Sequence, residues 1–266
     1  MTETDAGAHP ITYTGYYDVE CRPVRGIVPT EELVTLYVNS HPLVSLMCTP
    51  LRLEELAVGF LYNERVIARM EDVAALDLCD GGRSVDIWLE HDIEMETPRL
   101  RTITSGCSGG TTFEDVVSEQ HRIQSSVQIT PQQATMLMDS LTQAASLYKR
   151  AGGIHVAALS DGETLLFAAE DIGRHNTLDK LAGICLRQGC EMRDYILLTS
   201  GRTSSEMVKK AACMETPIII SRTSPTSLAI QLAQAWALTL IGYTRRRSFR
   251  VYSQEERIAA CALPET

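Results

Sequence analysis

Apolar residues in the first third of the chain come in short runs. Residues 33–39 (LVTLYVN) and 42–49 (PLVSLMCT) are rich in Leu, Val, Thr and Tyr and flank the turn-forming VNSHP. This is the pattern of strands joined by a turn, and ITYTGYYDVE at 11–20 has the same character. The period changes at LRLEELAVGFLYNERVI, where Leu53, Leu56, Ala57, Phe60 and Leu61 fall at helical spacing. One amphipathic helix is therefore expected inside a strand-rich segment. SVDIWLEH (84–91) and RLRTITS (99–105) predict two more strands.

After Ser125 the pattern becomes an alternation. TPQQATMLMDSLTQAASLYKRAGG (130–153) predicts a helix with Thr130 as N-cap, Pro131 at the first helical position, Gln133 closing a capping box and Gly152 as the stop. IHVAALS and TLLFAAE read as strands around DGE. Then follow TLDKLAGICLRQG as helix, YILLTS as strand, SEMVKKAACM as helix, PIIIS as strand and SLAIQLAQAWALTLIG as helix. Such alternation predicts a largely parallel sheet covered by helices. The expected fold is α/β, or α+β over the whole chain. A β-rich N-terminal subdomain spans 1–125 and an α/β subdomain spans 126–266.

Composition narrows the function classes. A hydrophobic content of 44% over 266 residues fills a core. No run approaches the roughly 18 apolar residues of a membrane span. The first residues, MTETDAGAHPITYTG, lack the basic-then-apolar plan of a signal peptide, so a cytoplasmic protein with no membrane contact is expected. The eight cysteines are scattered without close pairing and read as reduced thiols. A net charge of −10 argues against nucleic-acid binding, which needs a basic footprint. YTRRRSFR (243–250) is a local basic exception.

Three strands run into small, polar, arginine-bearing loops before a helix: EDIGRHNT, SGRTSSE and SRTSPTS. Helix N-termini at the carboxyl ends of strands suit anions, and Arg174, Arg202 and Arg222 recur in these loops as forks for phosphate. For any one loop the alternative is that Thr203, Ser224 or Asn176 caps the helix and the arginine is solvated. No Walker A, strand-borne G-x-G-x-x-G, H-E-x-x-H or G-x-S-x-G motif occurs. Deaminase zinc chemistry would need H-x-E and P-C-x-x-C, and neither is present, so no zinc or other bound metal is expected. His175 lies beside Asp171 and Arg174 as an acid or base, or as a backbone-fixing loop residue.

EDIGRHNTLDKLAG, SGRTSSEMVKKAA and LTLIGYTRRRSFRVYS together resemble the FdhD/NarQ family of formate dehydrogenase accessory sulfurtransferases. The resemblance extends over nearly the whole chain. It implies a β-rich N-terminal part and a C-terminal three-layer unit similar to cytidine deaminases but without their zinc residues. It also implies an activity. Such a protein takes persulfide sulfur from a cysteine desulfurase and passes it to a molybdenum or tungsten bis-pterin guanine dinucleotide, bound as substrate and destined for a formate dehydrogenase. Members resemble homodimers. The family's cofactor-binding segment falls on Tyr243, Thr244, Arg245, Arg246, Arg247 and Ser248, with Arg246 where relatives often carry proline. Arg174, His175, Arg202 and Arg222 are expected to join it.

In the family the persulfide sits on the first cysteine of a C-x-x-C loop, which falls on Cys107 in TSGCSGG. The second would fall at Gly110, so discharge by a local disulfide is not available. Glycines keep Cys107 accessible, and nearby hydroxyls and bare N–H groups favour a thiolate. No lysine or arginine adjoins it in sequence. On composition alone a free cysteine in a turn is an equal reading of Cys107, and for the chain as a whole two other readings stay open. One is a cofactor carrier that transfers no sulfur; the other is a hydrolase built on His175 and Ser204.

Overall fold

Apolar residues at alternate positions of the C-terminal strands are buried to both sides of a six-stranded sheet, which is why those strands read as near-continuous apolar runs. The structure, a computed structural model, describes residues 7–90, 101–103 (backbone only) and 122–259. Among these are thirteen strands in three sheets and six α-helices.

The six-stranded sheet has the order β13-β12-β11-β10-β8-β9. It is built from β8 (His155–Ser160), β9 (Leu165–Asp171), β10 (Ile196–Thr199), β11 (Ile218–Ser221), β12 (Thr239–Arg245) and β13 (Ser248–Ser253). One face carries Val156, Ala158, Ile196, Leu198, Ile218, Ile220 and Ile241 against Leu137, Met138 and Leu141 of α2 (Pro131–Ala144). The other carries Ala157, Leu159, Leu197, Ile219 and Leu240 against α4 (Arg174–Arg187), α5 (Ser205–Cys213) and α6 (Ser227–Ala235). Three layers result.

The sheet is mixed rather than largely parallel. Only β10–β11 and β11–β12 pair in parallel; β8 is antiparallel to both β9 and β10, and β12–β13 is a hairpin. The first four residues of β12, 239–242, fall in sequence expected to be the end of a helix. SLAIQLAQAWALTLIG is helical only to Ala235, and Trp236 caps it. Ala237 then takes a left-handed φ of 55°. The Leu238 N–H donates to Ala233 O at 2.8 Å and the Ala237 N–H to Gln234 O at 3.4 Å. This is a Schellman stop with alanine where glycine is usual. The expected helix at 130–153 also divides, at Ala145, into α2 and α3 (Ser146–Ala151). Glu170 caps α3 from outside: its carboxylate accepts from the Leu147 N–H, the Tyr148 N–H and the Ser146 hydroxyl.

The N-terminal residues form a five-stranded sheet, order β5-β6-β3-β4-β7, and a separate hairpin of β1 (Ala8–Tyr17) and β2 (Glu20–Pro29). The sheet contains β3 (Glu32–Val38), β4 (His41–Cys48), β5 (Val73–Cys79), β6 (Ser84–Leu89) and β7 (Arg101–Ile103). Its core is closed by α1 (Leu53–Asn63), which turns Leu56, Ala57, Leu61 and their neighbours inward. β2 and β5 are not evident in the sequence pattern, because both are mostly exposed and show no apolar alternation.

α1 and α4 cross back to back, and this crossing joins the two larger sheets. A Cβ on Gly59 would lie 1.7 Å from Asp179 O, and one on Gly183 would lie 1.9 Å from Glu55 O, so only hydrogen fits at either position. Polar groups lock the same junction. Asp171 and Lys180 are fully buried and meet at 2.6 Å. The Asp171 carboxylate also accepts the Thr49 N–H (3.1 Å), the Gly173 N–H (2.7 Å) and Asn176 Nδ2 (2.9 Å). Lys180 Nζ donates further to Thr49 O and Glu170 O, and Asn176 Nδ2 to Met47 O. A second buried pair, Asp179 with Lys210 at 2.6 Å, holds Asn63 of α1.

Candidate functional site: the carboxyl edge of the six-stranded sheet

Strand direction brings together segments far apart in sequence. β8 is antiparallel to β9 and β10, so the carboxyl ends of β9, β10, β11 and β12 share one edge with the amino ends of β8 and β13. All three arginine loops and the 243–248 turn lie on that edge. Ligands of open α/β sheets bind there.

Each loop is fixed by the last side chain of its strand. Asp171 Oδ1, Thr199 Oγ1 and Ser221 Oγ accept the N–H two residues on, at Gly173 (2.7 Å), Gly201 (3.1 Å) and Thr223 (3.1 Å). These are short side-chain-to-backbone turns, independent of any ligand. Ser204 and Thr226 then cap α5 and α6 through the Met207 and Ala229 N–H groups. The loops after β10 and β11 are also zipped together: the Thr203 N–H donates to Ser224 O and the Thr226 N–H to Thr203 O.

The arginines do not occupy equivalent points. Arg174 is the first residue of α4 and Arg202 lies two residues before the Ser204 cap. Arg222 follows β11 directly and reaches Thr142 Oγ1 of α2 at 3.3 Å. Arg222 therefore leans to the α2 side, and Arg174 to the side of α4 and α5. Arg174 packs over Gly201, where a Cβ would meet Arg174 Cβ at 3.1 Å and His155 Nδ1 at 3.3 Å. Burial, then the nearby Arg202 charge, lowers the pKa of Arg174.

His175 Nε2 lies 3.0 Å from Ser204 Oγ and 3.3 Å from Glu206 Oε2. Burial and the Arg174 charge push its pKa down to about 4, against the attraction of Glu206. His155 is lowered by the same two causes. Both imidazoles are neutral at pH 7 and stand beside cationic side chains. The Ser204–His175 contact does not make a hydrolytic triad. In a triad the acid orients the second ring nitrogen, whereas Glu206 and Ser204 share one nitrogen, and Ser204 is already an N-cap. His155 was not singled out from sequence. Only strand order places it here, since the β8–β9 hairpin separates it from Arg174, and that hairpin, α4 and β10 separate it from Arg202.

The 243–248 turn is the end of the β12–β13 hairpin. Arg246 and Arg247 form its two-residue tip and are exposed, as are Arg245 and Ser248. Thr244 is fully buried, so its side chain does not face solvent at this edge. Arg245 Nη1 donates to the carbonyls of Arg222 and Thr244, and the Tyr243 N–H donates to Thr223 O at 3.0 Å. The turn is thereby tied to the β11–α6 loop. Tyr243 has φ 53° and is 38% exposed. Arg250 Cζ lies 4.3 Å from the centre of its ring.

Residues 29–259 match the model of the FdhD/NarQ family. The chain belongs to this family. Two relatives each called sulfur carrier protein FdhD are 38% identical to it. That of Staphylococcus haemolyticus aligns over 87% of this chain and 89% of its own length, and that of Bacillus subtilis over 91% and 94%. The fold is similar to a crystal structure from Desulfotalea psychrophila described as a candidate formate dehydrogenase accessory protein. The TM-score is 0.79 at 25% identity, covering 95% of this chain and 99% of that one.

Within the block EDIGRHNTLDK that carries the family resemblance, most members are scaffold. Glu170 caps α3, while Asp171, Asn176, Asp179 and Lys180 bind α1 and β4 to the α/β layers. Arg174 and His175 alone in the block turn to the edge cluster. Cys107 lies outside the described residues. Among the described cysteines, burial pushes Cys48 and Cys185 up to about 12 and raises Cys213 as well, so these three are protonated thiols at neutral pH. No group of three or more His, Cys, Asp or Glu among the described residues is arranged to hold a metal ion. No described helix is long and apolar enough to cross a membrane.

Proposed function

We propose that the chain is a sulfur carrier serving a formate dehydrogenase, and that the carboxyl edge of the six-stranded sheet is where it holds the dinucleotide cofactor that receives the sulfur. The observation that carries this reading is the convergence of Arg174, Arg202, Arg222, the 245–247 arginines and Tyr243 on one edge of an otherwise acidic protein. Family membership and the relatives' names support the sulfur-carrier role.

In this reading the Cys107 thiolate attacks the outer sulfur of a persulfide on a cysteine desulfurase. A new S–S bond forms on Cys107, the old one breaks, and the desulfurase cysteine leaves as a thiolate. The outer sulfur then passes to the molybdenum or tungsten of the bis-pterin guanine dinucleotide substrate and Cys107 leaves as a thiolate. The two electrons that convert sulfane sulfur to sulfide come from the metal centre or an external thiol. Protonated Cys48 and Cys185, both buried, and half-buried Cys213 are poor competitors for the first step. Arginine forks and the capped starts of α5 and α6 neutralise the pyrophosphates, and neutral His155 and His175 remain available to take a proton when an anion arrives.

Guanosine diphosphate tests the edge. Calorimetric titration is expected to show binding to the wild-type protein, weakened by Arg202→Ala roughly 10- to 100-fold, the size of a lost charge-assisted hydrogen bond. Absence of binding, or an unchanged affinity in Arg202→Ala, contradicts the assignment.

A further inference from the structure

We infer that Arg250, outside the arginine loops and the 243–248 turn, is a positioning residue that holds Tyr243 as a stacking platform for a purine base. The inference rests on the cofactor reading above and assigns the nucleobase within that site.

The backbone supplies the first observation. Between the pairs Gly242↔Arg250 and Arg245↔Ser248, β12 has two residues, Tyr243 and Thr244, opposite the single Phe249 of β13. This is a β-bulge, and its first residue is left-handed, the seat that glycine normally takes in this type of bulge. Tyr243 is the only aromatic among the non-glycine described residues with positive φ. A large ring is therefore held where the backbone favours no side chain at all, and such outliers concentrate at ligand sites.

The second observation is what holds the ring. The Arg250 guanidinium lies 4.3 Å from the Tyr243 ring centre, while the Tyr243 N–H is anchored to Thr223 O. Thr223 O also approaches to 2.9 Å of where a Gly242 Cβ would be, so the bulge sits tightly on the β11–α6 loop. A planar cation covering part of an aromatic ring fixes its plane, and arginine stacks in this way where lysine does not. Tyr243 as a residue is 38% exposed, on the edge that carries Arg245 and Arg222. An aromatic face beside phosphate-seeking arginines matches a purine nucleotide, whose base stacks while its phosphates pair with the cations.

The test separates base from phosphate by using guanosine diphosphate and inorganic pyrophosphate as probes. Arg250→Gln is expected to weaken guanosine diphosphate about tenfold and leave pyrophosphate within about twofold, with Arg250→Lys recovering only part of the loss. Tyr243→Gly is expected to raise the melting temperature, because glycine fits the left-handed seat, while weakening the nucleotide and sparing pyrophosphate. Unchanged guanosine diphosphate affinity in Arg250→Gln, or equal loss of both probes, overturns the inference. If the wild-type protein binds pyrophosphate but not the nucleotide, the platform falls and the phosphate edge stands. If it binds neither, the cofactor reading falls, and this inference with it.

Discussion

Asp171→Ala is expected to cost about 3–5 kcal/mol of folding stability, the usual penalty for breaking a buried pair and stranding one charge. Lys180 would remain with its ammonium fully buried and only the carbonyls of Thr49 and Glu170 to satisfy it. The same change removes the acceptor for the Thr49, Gly173 and Asn176 donors, so β4, the start of α4 and the Arg174 loop lose a common anchor. The double variant Asp171→Ala, Lys180→Met is expected to recover much of the loss, because a buried ion pair replaced by apolar groups is often close to neutral. Chemical denaturation of the three proteins checks this. A double variant no more stable than the single one would mean that the carboxylate's hydrogen bonds, rather than the charge balance, dominate.

Gly183→Ala is expected to destabilise the protein by about 1–3 kcal/mol through overpacking, and Gly59→Ala to act in the same direction. The sign is the informative part. Inside a helix, glycine to alanine ordinarily stabilises by about 1 kcal/mol. Here the new methyl would fall on the backbone of the opposite helix, and a backbone cannot rotate aside as a side chain can. Separation of α1 from α4 would also stretch the Asn63–Asp179–Lys210 and Asn176–Met47 links, so the Arg174 loop would loosen with it. Thermal unfolding of Gly59→Ala and Gly183→Ala decides between the two signs, and stabilisation by either would show that the helices can move apart freely.

The strand-loop-helix order of the C-terminal half was legible because its turns use ordinary chemistry. Thr130 with Gln133 and Gly189 after α4 announce themselves. The caps of α5 and α6, by contrast, fall on Ser204 and Thr226, one and two residues beyond Thr203 and Ser224, and α4 starts after Gly173 with no side-chain cap from Asn176. The end of α6 was not legible for an equally concrete reason. The left-handed stops of α1, α4, α5 and α6 fall on Arg65, Gly189, Glu215 and Ala237, and only one of these is glycine. With no breaker between Ala235 and Thr239, the apolar run reads as one long helix and conceals β12. Losing that strand hid the hairpin that carries Tyr243, while the sheet is less parallel than the alternation suggests because β8 lies antiparallel beside β10. Glu170, which divides α2 from α3, acts from a distant strand and leaves no local mark.

For the site, the residues were visible but their division of labour was not. Asp171, Asn176, Asp179 and Lys180 stand beside Arg174 and His175 in sequence, yet they face the α1 crossing rather than the edge. Helical periodicity does not say which neighbour each face will meet. His155 and Arg250 enter only through strand pairing, which brings a strand start and the far side of a hairpin to the three loops.

The central claim is that this chain carries sulfur on Cys107. Incubation of the protein with a cysteine desulfurase and cysteine, followed by mass-spectrometric mapping of bound sulfur, tests it most directly. The account predicts one added sulfur on the peptide containing Cys107, absent from Cys107→Ala. An undiminished persulfide signal in Cys107→Ala, or sulfur on Cys21 or Cys190 instead, would contradict it.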